Sequence, residues 1–207
     1  MGNIFWHERS HHHGEFNNID NVDRGAAASG GIAMAYDNSA RGPHSNLSIT
    51  SNVVVCQREP LARPVSASVN YGIGLQSLGS VTNVVVANNN VINAPVRGIK
   101  VGVVFPSVAS NIQVVDNTIV DPGTNSDPTA VWYDAAIALD GNLTDVNVTG
   151  NSLMFTTNPL HPVGGTYSVY ASDLGATFTR VTVSDNTVIA FAGYPALYLS
   201  PKVITGH

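Results

Sequence analysis

Charged and aromatic side chains are scarce in this chain, so those that are present define what chemistry is available. Of the 207 residues, 11% are charged and 7% are aromatic. Lys100 and Asp140 have side chains that can take up or release a proton as a general base or acid. Arg97 can hold an acidic group. Aromatic rings suit the faces of sugars and amides suit their hydroxyls, and the candidates for such contacts are Tyr71, Gln76, Trp132 and Tyr170.

A repeating framework must position these side chains, because five segments of the chain can be superimposed. Each segment is an alternating strand pattern that ends on Asn, and an aliphatic residue follows the Asn after one intervening position. The period is about 34 residues, and a fixed period of this size is typical of a repeat architecture. The segments are 46–52, 83–89, 111–117, 145–151 and 180–186, with a weaker sixth copy at Asn17.

A second motif recurs between these segments. A small residue is followed by two apolar residues spaced by two, as in 72–75 and 98–101. No stretch has the apolar period of 3.6 that an amphipathic helix needs. Each period therefore predicts three short strands, and parallel stacking of successive coils gives every strand two neighbours. A β-sandwich with Asn-rich turns would also have short strands, but its strands would not repeat one corner in register.

The Asn at each corner predicts a buried, hydrogen-bonded column. Asn tolerates a left-handed backbone and can bond to neighbouring main chain. In stacked coils each Asn amide can also bond the Asn of the next coil, as in cross-β stacks. An unsatisfied buried amide costs more than one bond contributes, so Asn is favoured at every coil. The predicted ladder consists of Asn52, Asn89, Asn117, Asn151 and Asn186.

The order of strand, Asn corner, strand, loop and strand, from about residue 30 to residue 200, resembles the right-handed parallel β-helix, or pectin-lyase-like, superfamily. This superfamily includes polysaccharide lyases and phage tailspike depolymerases. The resemblance implies an all-β fold, a right-handed parallel β-helix (β-solenoid) of about six coils. In the resembling enzymes a groove lies on the outward face of the first strand of each coil. Residues 1–207 are expected to form a single domain, part of a larger protein or assembly. The fold hosts many reactions, so function must be argued from the site.

The outward positions of that first strand bring the candidate residues into one patch. Lys100 is flanked in its column by Gly74 and Ala138, whose small size leaves a hollow around an exposed lysine. Long loops over a rigid scaffold often carry function, and the longest irregular segments, 56–70, 121–135 and 155–167, would wall this groove. The predicted catalytic residues are Lys100 and Asp140, and the predicted substrate-binding residues are Tyr71, Gln76, Arg97, Trp132 and Tyr170.

Other interpretations of these side chains stay open. Lys100 and Asp140 could be a solvated surface pair, which contributes little to stability. His11, His13 and Glu15 share one face of an extended segment and could hold a metal ion, although the favoured interpretation requires no metal or cofactor. A pair of carboxylates could act as in glycosidases, with Glu59, Asp121, Asp127, Asp134 and Asp140 available.

Taken together, these features favour an extracellular or virion-associated protein that binds and cleaves a polysaccharide as a lyase or a glycosidase. The net charge is −5 and there is no basic run, so nucleic acid is not an expected partner. No apolar run is long enough for a membrane span. The alternative is a non-catalytic assembly module of a trimeric, tailspike-like protein, because the outward residues of the Asn-terminated strands carry no charge.

Overall fold

Three parallel sheets, formed by strands that recur in the same order, make up the computed structural model of the chain. It describes residues 4–6, 12–15, 18–22, 30–34, 44–56, 71–77, 79–103, 106–123, 134–156, 166–171, 177–190 and 197–199, and the backbone alone is described in β1–β3, in β19 and at a few strand ends. Sheet A contains β1 (Ile4–Trp6), β4 (Gly30–Met34), β7 (Tyr71–Ser77), β10 (Arg97–Val103), β13 (Asp134–Asp140), β16 (Thr166–Ala171) and β19 (Leu197–Leu199).

Sheets B and C contain six strands each. Sheet B consists of β2 (His12–Glu15), β5 (His44–Thr50), β8 (Val81–Ala87), β11 (Val108–Val115), β14 (Asn142–Thr149) and β17 (Phe178–Ser184). Sheet C consists of β3 (Asn18–Val22), β6 (Val53–Cys56), β9 (Asn90–Ile92), β12 (Thr118–Val120), β15 (Ser152–Met154) and β18 (Thr187–Ile189). The chain therefore passes through sheets A, B and C in turn, six times. The described residues contain no helix, which confirms the predicted right-handed parallel β-helix of about six coils.

The core lies inside the coil and is built from the aliphatic residues that the two motifs predicted. Ile73, Ile99 and Ile137 of sheet A stack in register and are fully buried. The small residue of the second motif also has a packing reason. Gly98 faces inward, and a Cβ placed there would lie 2.5 Å from Cγ2 of Ile119 in sheet C. Only a small residue lets sheet A approach sheet C this closely, which is why the two motifs occur together.

The Asn ladder is present at the corner between sheets B and C, as predicted. Asn89 shows the pattern: its backbone N–H and its Nδ2 both donate to Oδ1 of Asn117, at 3.0 and 2.9 Å. Its Nδ2 also donates to the carbonyl of Ile49 in the coil before, at 2.9 Å. Each amide thus ties together three successive coils. The same bonds link the whole column of Asn52, Asn89, Asn117, Asn151 and Asn186.

A second ladder, which the sequence analysis missed, runs along the outside of sheet B. In sheet B, one residue in each of the strands β5, β8, β11, β14 and β17 has a left-handed backbone, with φ between 53° and 58°. This residue interrupts the alternation, so that Ala109 and Ile112, three positions apart, both face inward. The amides form an exposed column in which Asn111 Nδ2 donates to Asn83 Oδ1 at 2.8 Å. The column consists of Asn46, Asn83, Asn111, Asp145 and Arg180.

Candidate functional site

The strands of sheet A present side chains to the outside at positions three residues apart. In β10, Gly98 and Ile99 both face the core, so Arg97 and Lys100 both face outward. Register places Lys100 between Gly74 of β7 and Ala138 of β13, as the sequence predicted. The two cations therefore occupy adjacent positions on one strand of the outward face.

Asp140 joins both cations. Its Oδ2 lies 3.3 Å from Nζ of Lys100 and 3.8 Å from Nη1 of Arg97. The side chains of Lys100 and Arg97 are only 5% and 6% exposed, whereas that of Asp140 is 25% exposed. A ligand from solvent would therefore meet this charged cluster first at Asp140.

The expectation that Lys100 is an exposed or solvated residue is wrong. The hollow beside it, left by the missing side chain of Gly74, is filled by the ring of Tyr71, which lies directly over that glycine. Burial lowers the pKa of Lys100; Asp140 opposes this shift and Arg97 adds to it. A lysine that is more readily deprotonated than usual is better suited to act as a base.

Asp134, at the start of β13, is the fourth charged residue of the cluster. It is 3% exposed, and its Oδ2 has no hydrogen-bond partner among the residues that the structure describes. Burial raises its pKa well above the usual range for a carboxyl, and the charge of Arg97 only partly opposes that rise. Nε of Arg97 is buried and likewise has no hydrogen-bond partner within the described part of the chain. Unsatisfied buried polar atoms are uncommon in folded proteins and call for an explanation.

Tyrosines form the aromatic part of the outward face. Tyr71 and Tyr170 are 4% and 6% exposed. The rings of Tyr170 and Tyr167 lie 5.6 Å apart at a tilt of 35°, and both pack on Ala135 and Ala138. Because Tyr71 and Tyr170 are buried, these rings cover the charged cluster and offer little open surface on which a sugar could stack.

The structure thus brings five predicted residues onto one face: Tyr71, Arg97, Lys100, Asp140 and Tyr170. Gln76 shares a register position with Gly102 and hence with Asp140, although its backbone alone is described. Trp132, Glu59 and Asp127 lie outside the described residues, as does most of each predicted wall segment.

Among the acids offered as alternatives, Asp121 has a structural role. Its carboxylate accepts hydrogen bonds from the backbone N–H and from Oγ1 of Thr156, at 2.6 and 2.7 Å. Asp134 is the acid that sequence reasoning undervalued. It is the first residue of β13 in sheet A, and that position next to the Arg97 column was the available signal.

The metal set at the start of the chain, which the sequence left open as an alternative, is not tested by the structure. His11 lies outside the described residues, and for His13 and Glu15 the structure gives only the backbone of β2. Within the described part of the chain, no group of three His, Cys, Asp or Glu side chains could hold a metal ion. The described residues also include no helix long and apolar enough to cross a membrane.

Comparison of the chain with protein-family models, with curated proteins and with solved structures gave no match. The architecture defines its class, which is the right-handed parallel β-helix. What this particular β-helix does must be argued from the outward face of sheet A.

Proposed function

We propose that this chain is a carbohydrate-active protein of the pectin-lyase-like type, which binds an acidic polysaccharide on the outward face of sheet A and cleaves it as a lyase or a glycosidase. The observation that carries this proposal is the charged cluster of Arg97, Lys100, Asp134 and Asp140. It is largely buried, and no described residue makes a hydrogen bond to Arg97 Nε or to Asp134 Oδ2.

The charge of the cluster favours an anionic ligand. Burial raises the pKa of Asp134 and so favours its neutral form, which would leave Arg97 and a protonated Lys100 facing the single carboxylate of Asp140. Burying an uncompensated charge is costly, and a carboxylate on a sugar would offset that cost. Arg97 would be its natural partner, since a guanidinium binds carboxylates in two-point geometry.

The same residues supply an acid and a base. In an elimination, a base removes the proton next to the sugar carboxylate, the bond to the leaving oxygen breaks, a carbon–carbon double bond forms, and an acid protonates the oxygen. In hydrolysis, the acid protonates the glycosidic oxygen while a base activates water. Lys100, with its lowered pKa, suits the base, and Asp134, with its raised pKa, suits the acid. Asp140 would orient Lys100 or take its place as base.

The spacing of the coils suits a polymer. Equivalent residues of successive coils lie about 4.8 Å apart, close to the length of one sugar unit. A chain lying along the stack would therefore meet Tyr71, Arg97 and Ala135 at successive steps of one column. Attack on extended polysaccharides also agrees with the expected extracellular or virion-associated location.

The test is a panel of neutral and uronate-containing polysaccharides, incubated with the protein and with Asp140→Asn. Reducing ends report any cleavage, and the ultraviolet absorbance of an unsaturated uronate reports elimination alone. We expect the wild type to cleave an acidic polysaccharide and Asp140→Asn to lose turnover while still binding, because the amide keeps the shape and loses the charge. Full activity of Asp140→Asn would place the reaction elsewhere.

A second candidate is a non-catalytic assembly module, as in trimeric tailspikes. One feature favours it: many outward residues of sheet B are amides and hydroxyls that bond along the stack, for example Gln113, Asn147 and Thr149. The expectation that this face carries no charge is wrong, because Asp145 and Arg180 form an exposed ion pair on it. Binding of polysaccharide without any release of reducing ends or unsaturated product would favour this function over the enzyme.

A further inference from the structure

Lysine is scarce in this chain, and one of its two lysines is buried. The sequence contains Lys100 and Lys202 and no other lysine. The side chain of Lys100 is 5% exposed, whereas Lys202 lies outside the described residues. Lysine is among the residues that are least often buried, because its ammonium group loses hydration there. The burial of this amine in a charged cluster therefore calls for a chemical reason.

The neighbours of Lys100 along its column are small and uncharged. Register places it between Gly74 and Ala138, and Ala138 is fully buried. The ring of Tyr71 lies over Gly74 and closes that side. Proteins use a lysine as a nucleophile when it is desolvated among apolar groups or lies beside a second cation. Lys100 meets both conditions, because Arg97 lies on the same strand, and burial followed by the charge of Arg97 lowers the pKa of Lys100.

Two charged groups beside the amine supply what an imine-forming lysine requires. Oδ2 of Asp140 lies 3.3 Å from Nζ of Lys100 and can exchange protons with it. The same oxygen lies 3.8 Å from Nη1 of Arg97. Arg97 also has a buried Nε to which no described residue bonds, so its guanidinium retains a donor for a carboxylate. A proton-transfer group and a carboxylate-binding group thus lie on either side of one amine.

We infer that Lys100 is a nucleophile that forms an imine with a 2-oxo acid, a compound whose carbonyl carbon is bonded directly to a carboxylate. Arg97 holds the carboxylate while the amine of Lys100 attacks the carbonyl. A compact ligand of this kind suits the site because both cations approach the same oxygen of Asp140. Asp140 is the more exposed member of the cluster and marks the side from which the ligand enters. This activity does not depend on the proposed cleavage of a polysaccharide.

The step balances with the groups at hand. Protonated Lys100 first gives one proton to Asp140. The neutral amine then adds to the carbonyl carbon, the nitrogen–carbon bond forms, and the carbonyl oxygen takes a second proton from the nitrogen. Asp140 returns its proton to that hydroxyl, the carbon–oxygen bond breaks, and water leaves as the nitrogen lone pair completes a protonated carbon–nitrogen double bond. The imine carries the single positive charge that Lys100 carried, and no oxidant or reductant is consumed.

The test traps the imine on the complete chain with pyruvate, a small 2-oxo acid, and cyanoborohydride, which reduces an imine to a stable amine. Peptide mass mapping compares the adduct on Lys100 with that on Lys202, which serves as the internal reference. Methyl pyruvate is the matched probe, because its ester retains the reactive carbonyl and lacks the negative charge. We expect pyruvate to modify Lys100 in preference to Lys202. With methyl pyruvate we expect this preference to fall about tenfold, since a charge-assisted contact with Arg97 is lost.

Two arginine variants test how the carboxylate is recognised. Arg97→Gln removes the guanidinium beside Lys100, and Arg180→Gln makes the same change at an exposed position of sheet B. We expect Arg97→Gln to modify Lys100 to the same extent with both probes, and Arg180→Gln to retain the preference for pyruvate. Circular dichroism shows whether each variant folds, and the comparison of the two probes on the wild type decides the matter even if Arg97→Gln does not fold.

Three results would overturn the inference. The first is modification of Lys202 by pyruvate as fast as that of Lys100. The second is an equal preference for Lys100 with pyruvate and with methyl pyruvate on the wild type. The third is a folded Arg97→Gln variant that prefers pyruvate as strongly as the wild type does. Because no polysaccharide enters these measurements, a failure here is distinct from a failure of the proposed function.

Discussion

Two regions of this molecule bury polar side chains in opposite ways. In the Asn ladder, each amide donates to carbonyl groups and to the next amide, so that Asn89, Asn117 and Asn151 are no more than 1% exposed and are bonded to adjacent coils on both sides. In the charged cluster of sheet A, Arg97 and Asp134 are almost as deeply buried, yet Arg97 Nε and Asp134 Oδ2 have no hydrogen-bond partner among the described residues. The ladder bonds adjacent coils to each other, whereas burying a polar atom without a hydrogen bond carries a free-energy cost.

This contrast distinguishes structural polarity from functional polarity. A buried group that the fold satisfies needs no further purpose. A buried group that the fold leaves unsatisfied persists because something else selects it, and shifted pKa values are common at such sites. The comparison therefore predicts that ladder variants lose stability, and that cluster variants lose function with a smaller loss, or even a gain, of stability.

The largest effect is expected at the centre of the ladder. Asn117→Ala removes the acceptor for two donors of Asn89, takes the side-chain donor away from Asn151 Oδ1 and from the carbonyl of Val86, and leaves Asn151 Oδ1 with only the backbone N–H of residue 117. We expect a loss of about 3 kcal/mol in the free energy of unfolding, since several buried groups lose their bonds together. Chemical denaturation measures this loss. Asn186→Ala, at the half-buried end of the ladder, is the matched control and should cost about 1 kcal/mol; equal losses at both sites would contradict a ladder that works through coils on both sides.

A smaller loss is expected where the cluster meets the tyrosines. Gly74→Ala would place a methyl group inside the ring of Tyr71, so the ring must move away from Lys100. We expect a loss of about 2 kcal/mol from this displacement, measured by denaturation, together with a change in tyrosine fluorescence. If Gly74→Ala is as stable as the wild type, the ring does not enclose Lys100 as described.

Asp134→Asn should stabilise the protein, whereas most substitutions destabilise it. The pKa of Asp134 is raised in the folded state, so the folded wild type binds a proton there more readily than the unfolded chain does. The free energy of unfolding therefore falls as the pH rises from 3.8, the ordinary pKa of this carboxyl, towards the pKa in the folded state. The amide does not ionise, so we expect a higher melting temperature than the wild type at neutral pH and little difference below pH 3.8. Melting curves across this pH range measure it, and a constant difference at every pH would contradict the assignment.

The smallest effect is expected at Arg180, the last residue of the second ladder, on the outside of sheet B. Arg180 has φ 53°, a conformation that costs energy for most side chains, and it is held by an exposed ion pair with Asp145. Arg180→Asn restores the residue type of this column and tolerates that backbone. We expect the melting temperature to rise by about 2 °C or less. A clear fall would mean that the ion pair, and not the backbone, determines stability at this position.

The difference between the two regions also explains what the sequence could predict. The corner Asn residues repeat because the backbone of every coil has the same needs, so repetition alone located the ladder. The same logic was available for the left-handed column that begins at Asn46, since its residues are the first of each of the five aligned segments. A pattern of simple alternation hides the interruption at residues such as Asn111.

The cluster could be predicted only in part. Register followed from the repeat, so Arg97, Lys100 and Asp140 were placed on one face correctly. Burial did not follow, because alternation tells which way Lys100 points and not what covers it. The side chain of Asp134 also lies against Gly123, and no local pattern encodes that contact.

The central claim is that the charged cluster binds an acidic polysaccharide. Affinity electrophoresis tests this claim most directly. The wild type, Lys100→Met and Gln113→Lys are each run through gels that contain a neutral or a uronate-containing polysaccharide. Lys100→Met keeps the length of the side chain and removes its charge, whereas Gln113→Lys adds a charge far from the cluster. We predict that an acidic polysaccharide retards the wild type and Gln113→Lys and that Lys100→Met migrates freely. We also predict that both variants remain folded. Retardation of Lys100→Met equal to that of the wild type, or no retardation of any form by any polysaccharide, would contradict the claim.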